Sequence, residues 1–248
     1  MTESSINDLE IKDYSESPRI QENIFGQRSS IRFFDPKDRE DMRRLKETCN
    51  DPKAKKWMDE LEEMEDDDFI EWSKEQGKGN SFLFAIAGEP EVVTKEDIGE
   101  TQGFVYFYSE ASEKRRAARL EKEGMLPKGT VKGQTVFEIS YATFPDSPPK
   151  QVSSALRQAC IWINNHAGNV DEDSLEPKMI VMAFISPENS ESRLVLEAAG
   201  FEKKGETKYD KDSEEKDEVY ILNWKLLNDK LKESSLQKIS PQLRNIPV

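Results

Sequence analysis

The chain of 248 residues carries 36 basic and 50 acidic side chains, for a formal net charge of −14. That balance lacks the basic footprint of a nucleic-acid binder and disfavours an anionic membrane surface. It provides solubility, and its field suits cationic partners such as amines, polyamines and basic peptides. One histidine and two cysteines argue against a histidine triad, a multi-histidine zinc site and a disulfide framework, so no metal is expected.

Residues 1–28 mix Ser, Glu, Asp and Asn with scattered Ile and read as a flexible arm without the apolar stretch of a secretory signal. A short strand, Ser30–Phe34, stops at Asp35-Pro36. Asp38 then caps a helix whose apolar residues Met42, Leu45 and Cys49 fall at i, i+3 and i+7. Asp51-Pro52 restarts a helix with Ala54, Trp57, Met58 and Leu61 on one face, and the acidic run Glu65–Asp68 reads as a solvated loop. Ser81–Ala87 and Gly103–Tyr108 are hydrophobic strands of a hairpin. Residues 111–133, with Lys114, Arg115, Arg116 and Arg119, read as a basic insertion, a solvated helix ended by Pro127 and Gly129.

Thr135–Phe144 is the longest strand candidate. Phe137, Ile139 and Tyr141 alternate with Glu138, Ser140 and Ala142, giving one bulky face and one small, polar face. The helix that follows carries Val152, Ala155, Leu156, Ala159, Cys160 and Ile163 at helical spacing. It ends near the single histidine, His166, which reads as a capping or surface residue. Lys178–Ile185 is almost wholly apolar, the mark of a strand covered on both faces and far too short to span a bilayer. A helix over Ser190–Ala199 has Asn189 as N-cap and Gly200 beyond its end. Phe201–Tyr209 and Glu218–Trp224 form a last hairpin, and from Lys225 the tail is a charged helix and then coil. Cys49 and Cys160 both lie on apolar helix faces, as buried thiols of a reduced, cytoplasmic protein would. The expected organisation is an arm over 1–28, one α/β (α+β) domain over 29–224 and a tail over 225–248.

Two segments of this order resemble the GNAT superfamily of N-acetyltransferases. The first is a phosphate-binding turn between a strand and a helix, here Pro148-Pro149-Lys150-Gln151-Val152-Ser153-Ser154. The second is Asn189, Ser192, Val195-Leu196-Glu197 and Gly200-Phe201, similar to the branch that acetylates ribosomal-protein N-termini. The resemblance spans roughly 29–224 and implies a mixed, mostly antiparallel sheet with helices on both faces. It also implies acetyl-CoA as co-substrate and an amine as acceptor, with no nucleic-acid or membrane partner.

The resemblance also implies roles for single residues. Ala142, Thr143 and Phe144 match the strand end that hydrogen-bonds the pantetheine arm, and a backbone N–H there would stabilise the oxyanion. Amides of Lys150, Gln151, Val152, Ser153 and Ser154 match the pyrophosphate cradle at a helix N-terminus, with the Lys150 ammonium and the serine hydroxyls adding to it. Gln151 and Ser153 stand where the family has glycines, Pro148 stands for its Arg or Gln, and Pro149 removes a donor. Asn189 matches a residue near the pantetheine and Ser192 one near the thioester. Leu196 replaces the tyrosine acid of many members, as in the ribosomal-protein branch. Glu138 is the candidate base and Tyr141 a candidate helper of thiolate departure. The altered turn keeps a second reading open, a catalytically silent GNAT-like binding or regulatory module.

Overall fold

A computed structural model describes residues 29–35, 37–55, 81–88, 101–143, 149–166, 179–209 and 215–229. The elements in chain order are β1 (Ser29–Phe33), α1 (Arg39–Asn50), α2 (Pro52–Lys55), β2 (Phe82–Gly88), β3 (Thr101–Tyr108) and α3 (Ala111–Lys122). There follow β4 (Thr135–Thr143), α4 (Pro149–His166), β5 (Met179–Ile185), α5 (Ser190–Ala199), β6 (Phe201–Thr207) and β7 (Asp217–Leu222). The expected arm over 1–28, Trp57, Met58 and Leu61, the run Glu65–Asp68, Phe144 to Pro148 and the tail beyond residue 229 lie outside the described residues.

The strands form one sheet in the order β1-β2-β3-β4-β5-β7-β6. Every pairing is antiparallel except that of β4 with β5. α4 makes the crossover between these two parallel strands, as a strand–helix–strand unit requires. The fold is therefore the expected mixed α/β sheet, mostly antiparallel, with helices on both faces.

One face carries the main core. Phe137 and Ile139 of β4 meet Val152, Leu156, Cys160 and Ile163 of α4 and Val195 and Leu196 of α5, all buried. Trp162 packs edge-on against Phe82 and Phe84, with ring centroids 5.7 and 5.4 Å away. The helix α5 begins where Asn189 Oδ1 accepts the Ser192 N–H at 3.1 Å and ends at Gly200, whose φ of 102° is left-handed.

The opposite face is covered by two separate pieces. α1, capped by Asp38, packs Leu45 and Cys49 on Leu83, Ala85 and Phe104. Buried Asp41 joins β1, α1 and β3, because it pairs with Arg32 and accepts the Thr101 hydroxyl at 2.9 Å. α3 lies over β4, β5 and β7, with Ala117 and Leu120 fully buried against Val136, Ile180, Met182 and Val219.

That packing corrects the expectation of a solvated insertion. Ala117 and Leu120, at i and i+3, form a narrow apolar stripe inside a basic sequence, and the sheet covers it. A second correction concerns Trp224, expected as the end of a strand. β7 stops at Leu222, and residues 224–229 are helical because Asn223 Oδ1 accepts the Leu226 N–H at 3.1 Å as an N-cap. Likewise β6 ends at Thr207 rather than Tyr209.

Candidate active site

β4 and β5 pair only from Thr135 with Met179 to Glu138 with Met182. Beyond that point Ile139–Thr143 remain paired with β3 and Ala183–Ile185 with β7. The two parallel strands thus splay, and β4 presents one backbone edge over Ile139–Thr143 to the gap. Gly103 lies opposite Thr143, where a Cβ would stand 2.5 Å from the Ala142 carbonyl oxygen, so only glycine lets β3 approach the splayed end this closely.

Glu138 is the last residue of β4 that pairs with β5, at the apex of the gap. Alternation turns it away from the main core, onto the face shared with α3. Its side chain is 4% exposed. The Tyr108 hydroxyl donates to Oε1 at 2.5 Å and the Tyr209 hydroxyl donates to the same oxygen at 3.0 Å. Arg116 Nε stands 3.0 Å from Oε2 as an ion pair without hydrogen-bond geometry, and Oε2 accepts no hydrogen bond among the described residues.

Burial pushes the Glu138 carboxyl up to about 7, while Arg116 and the two phenols oppose that rise. Burial raises the Tyr108 and Tyr209 phenols well above their ordinary range, and the Glu138 charge adds to that. Both are therefore neutral donors at physiological pH. The Arg116 guanidinium lies 4.3 Å over the Tyr209 ring and donates to Glu113 at 2.6 Å. Glu113, itself buried, also accepts the Glu110 N–H at 2.6 Å at the start of α3.

Tyr141 points to the opposite face, so β4 separates it from Glu138. Its hydroxyl donates to the Ser192 carbonyl at 3.0 Å, and burial raises its phenol far above the ordinary range. Tyr141, Ser192 and Asn189 therefore form one group at the start of α5, with Asn189 acting as its N-cap. Leu196 is fully buried in the core.

At the start of α4, Pro149 has no N–H, and a helix beginning there leaves the Lys150 and Gln151 amides without intrahelical partners. The side chains of those two residues lie outside the described ones. Val152, Ser153 and Ser154 follow within the first two turns of α4. Val152 packs in the core, and the Ser153 and Ser154 side chains are buried. Two backbone donors at a helix start, together with the open edge of β4 over Ala142 and Thr143, fit a phosphate-bearing, peptide-like arm such as that of acetyl-CoA.

Tyr108, Tyr209 and Arg116 were missing from the sequence reading of the site. Their convergence on Glu138 depends on sheet register and on the packing of an insertion, neither of which local sequence encodes. An open cleft of about 500 Å³ lies between the end of α3 and the end of β6, lined by Arg119, Glu123, Met125, Glu206, Thr207 and Lys208 among others.

Among the described residues, no helix is long and apolar enough to cross a membrane and no metal-ligand cluster occurs. A model of the GNAT acetyltransferase domain matches residues 28–202. No curated protein matches the chain in sequence. Solved structures similar in fold include an aminoglycoside acetyltransferase, AAC(6')-Ib, with coenzyme A and kanamycin, at 15% identity over 81% of this chain and 98% of that one, TM-score 0.52. A spermidine N-acetyltransferase chimera from Vibrio cholerae and hSSAT shares 11% identity over 83% and 99%, TM-score 0.53. A ribosomal L7/L12 alpha-N-protein acetyltransferase shares 12% over 78% and 88%, TM-score 0.50. The similarity is to the superfamily fold and does not single out the ribosomal-protein branch.

Proposed function

Because the chain belongs to the GNAT acetyltransferase family, we propose that it acetylates an amine, with Glu138 as the base. Acetyl-CoA supplies the acetyl thioester, whose carbonyl carbon the neutral amine attacks. The observation that carries the role of Glu138 is its place: a buried carboxyl at the apex of the β4–β5 gap, with its proton affinity raised to about 7. A base of that strength is half ionised near neutrality and still strong enough to draw a proton from an ammonium.

In this reading the open edge of β4 at Ala142 and Thr143 aligns the pantetheine arm, and a backbone N–H there faces the developing oxyanion. The Lys150 and Gln151 amides at the start of α4 hold the phosphates. Asn189 and Ser192 position the start of α5 beside Tyr141, whose proton is committed to the Ser192 carbonyl. That commitment weighs against Tyr141 as the acid.

The acceptor class follows from the net charge of −14, which concentrates cations near the molecule. Polyamines and basic peptide N-termini are the substrates to examine first, the latter in keeping with the likeness of the α5 segment to the ribosomal-protein branch. Cys49 and Cys160 are buried and unbridged, which suits a cytoplasmic location.

The test combines calorimetry with acetyl-CoA and mass detection of acetylated spermine or basic peptide. Saturable binding and a product are expected, and Glu138→Gln should slow transfer roughly 100- to 10,000-fold with acetyl-CoA affinity nearly unchanged. An absence of acetyl-CoA binding would return the chain to the silent-module reading.

A further inference from the structure

Glu138 is nearly sealed from solvent, so an acceptor amine needs an intermediary to deliver its proton. Tyr108 and Tyr209 both donate to Oε1, and their hydroxyls also interact with each other, but their rings have different neighbours. Tyr108 belongs to β3, pairs directly opposite Glu138 and stacks on Tyr106 of the same strand with ring centroids 5.1 Å apart. Tyr209 lies edge-on to Phe184 at 5.2 Å, and Phe184 lies on β5 beyond the last residue that pairs with β4. The Tyr209 ring therefore bridges the apex of the gap on the face where Glu138 points.

The inserted helix α3 fixes that ring. Arg116 covers its face at 4.3 Å while pairing with Glu138. One turn later, Arg119 donates to the Lys208 carbonyl at 2.5 Å and to the Tyr209 carbonyl at 3.1 Å. Arg116 and Arg119 of α3 thus add to the hold that Glu138 and Phe184 of the central strands have on Tyr209.

We infer that Tyr209 is the proton relay between the acceptor amine and Glu138, aligned by Arg116 and Arg119 of the insertion. The step rests on the reading of Glu138 as the base and balances as follows. The N–H bond of the incoming ammonium breaks and its proton binds the Tyr209 oxygen, while the Tyr209 hydroxyl proton passes to Glu138 Oε1. Tyr209 ends neutral, the amine ends neutral with its lone pair free for attack, and Glu138 holds one proton, later released to water. The high proton affinity of the Tyr209 phenol requires these transfers to be concerted rather than to pass through a phenolate.

A double-mutant cycle with spermine or a basic N-terminal peptide tests the relay. Tyr209→Phe should lower the transfer rate roughly 100-fold. The variant carrying both Glu138→Gln and Tyr209→Phe should be no slower than Glu138→Gln alone, since both changes interrupt one path. Losses that multiply, or a near-normal rate for Tyr209→Phe beside a slow Glu138→Gln, would overturn the relay and leave the base in place. A normal rate for Glu138→Gln would overturn both.

A second measurement needs no acceptor. The groups facing Glu138 are Tyr108 from β3, Arg116 and Glu113 from α3 and Tyr209 after β6, and its β5 neighbour Met182 does not titrate. The carboxyl carbon of Glu138, assigned by its disappearance in Glu138→Gln, can be followed by NMR against pH. Tyr209→Phe removes a donor to the carboxylate, so the Glu138 midpoint should rise. A midpoint unmoved by Tyr209→Phe would show that the hydroxyl does not engage Glu138 and would overturn the relay.

Discussion

The two faces of β4 are made by alternate residues of one strand, yet they do different work. Phe137 and Ile139 are sealed under α4 and α5 in an apolar core, where side-chain shape alone decides fit. Glu138, one residue away, is sealed just as thoroughly, but under Arg116, Tyr108 and Tyr209. Burial of the first kind stabilises the fold. Burial of the second kind raises the proton affinity of a carboxyl, and two phenol donors and a guanidinium from three distant segments offset part of that rise. The difference teaches that depth of burial alone does not distinguish a structural residue from a reactive one, whereas the chemistry of the cover does.

Two substitutions sharpen this contrast on neighbouring residues. Phe137→Ala should cost about 3–5 kcal/mol of unfolding free energy, because the ring is fully buried and packs on Phe107 with centroids 6.3 Å apart. Denaturant unfolding measures this. Glu138→Gln keeps the shape of its side chain and should lose far less stability than Phe137→Ala while losing most of the transfer rate. Equal losses of stability in the two variants would erase the distinction between the faces.

A smaller effect is expected at the splayed end of the strand. Gly103→Ala places a Cβ against the backbone of Ala142 and Thr143, which cannot move aside as a flexible side chain would. It should cost about 1–3 kcal/mol and loosen acetyl-CoA binding, since the displaced backbone is the edge that borders the gap. A thermal melt with and without acetyl-CoA reads both effects. An unchanged ligand-induced shift in Tm would detach the β4 edge from binding.

Periodicity made the apolar face legible. Val152, Ala155, Leu156, Ala159, Cys160 and Ile163 were grouped by spacing and all lie in the core, and Asn189 and Gly200 mark the ends of α5 as their chemistry predicts. Strand alternation also put Glu138 on the face opposite Phe137. It could not show that Glu138 is buried, because its cover comes from residues 113–116 and 209 and from the register of β3. The insertion misled because its charges outnumber its apolar contacts: Ala117 and Leu120 suffice to dock α3, yet in sequence they are lost among Lys and Arg. The start of α4 was legible, by contrast, at the end of a run of prolines. Pro149 takes the first helical position, where a missing N–H costs the helix nothing.

The central claim is that Glu138, poised by its buried polar cover, takes up the proton of the acceptor amine. The pH profile of kcat/KM for acetyl transfer to spermine or a basic peptide tests it most directly. A base works only when ionised, so the rate should rise with pH through a limb centred on the Glu138 carboxyl, about 7. That limb should vanish in Glu138→Gln, leaving a low rate that climbs only as the acceptor's own ammonium ionises at higher pH. A limb near 7 that persists undiminished in Glu138→Gln would contradict the account.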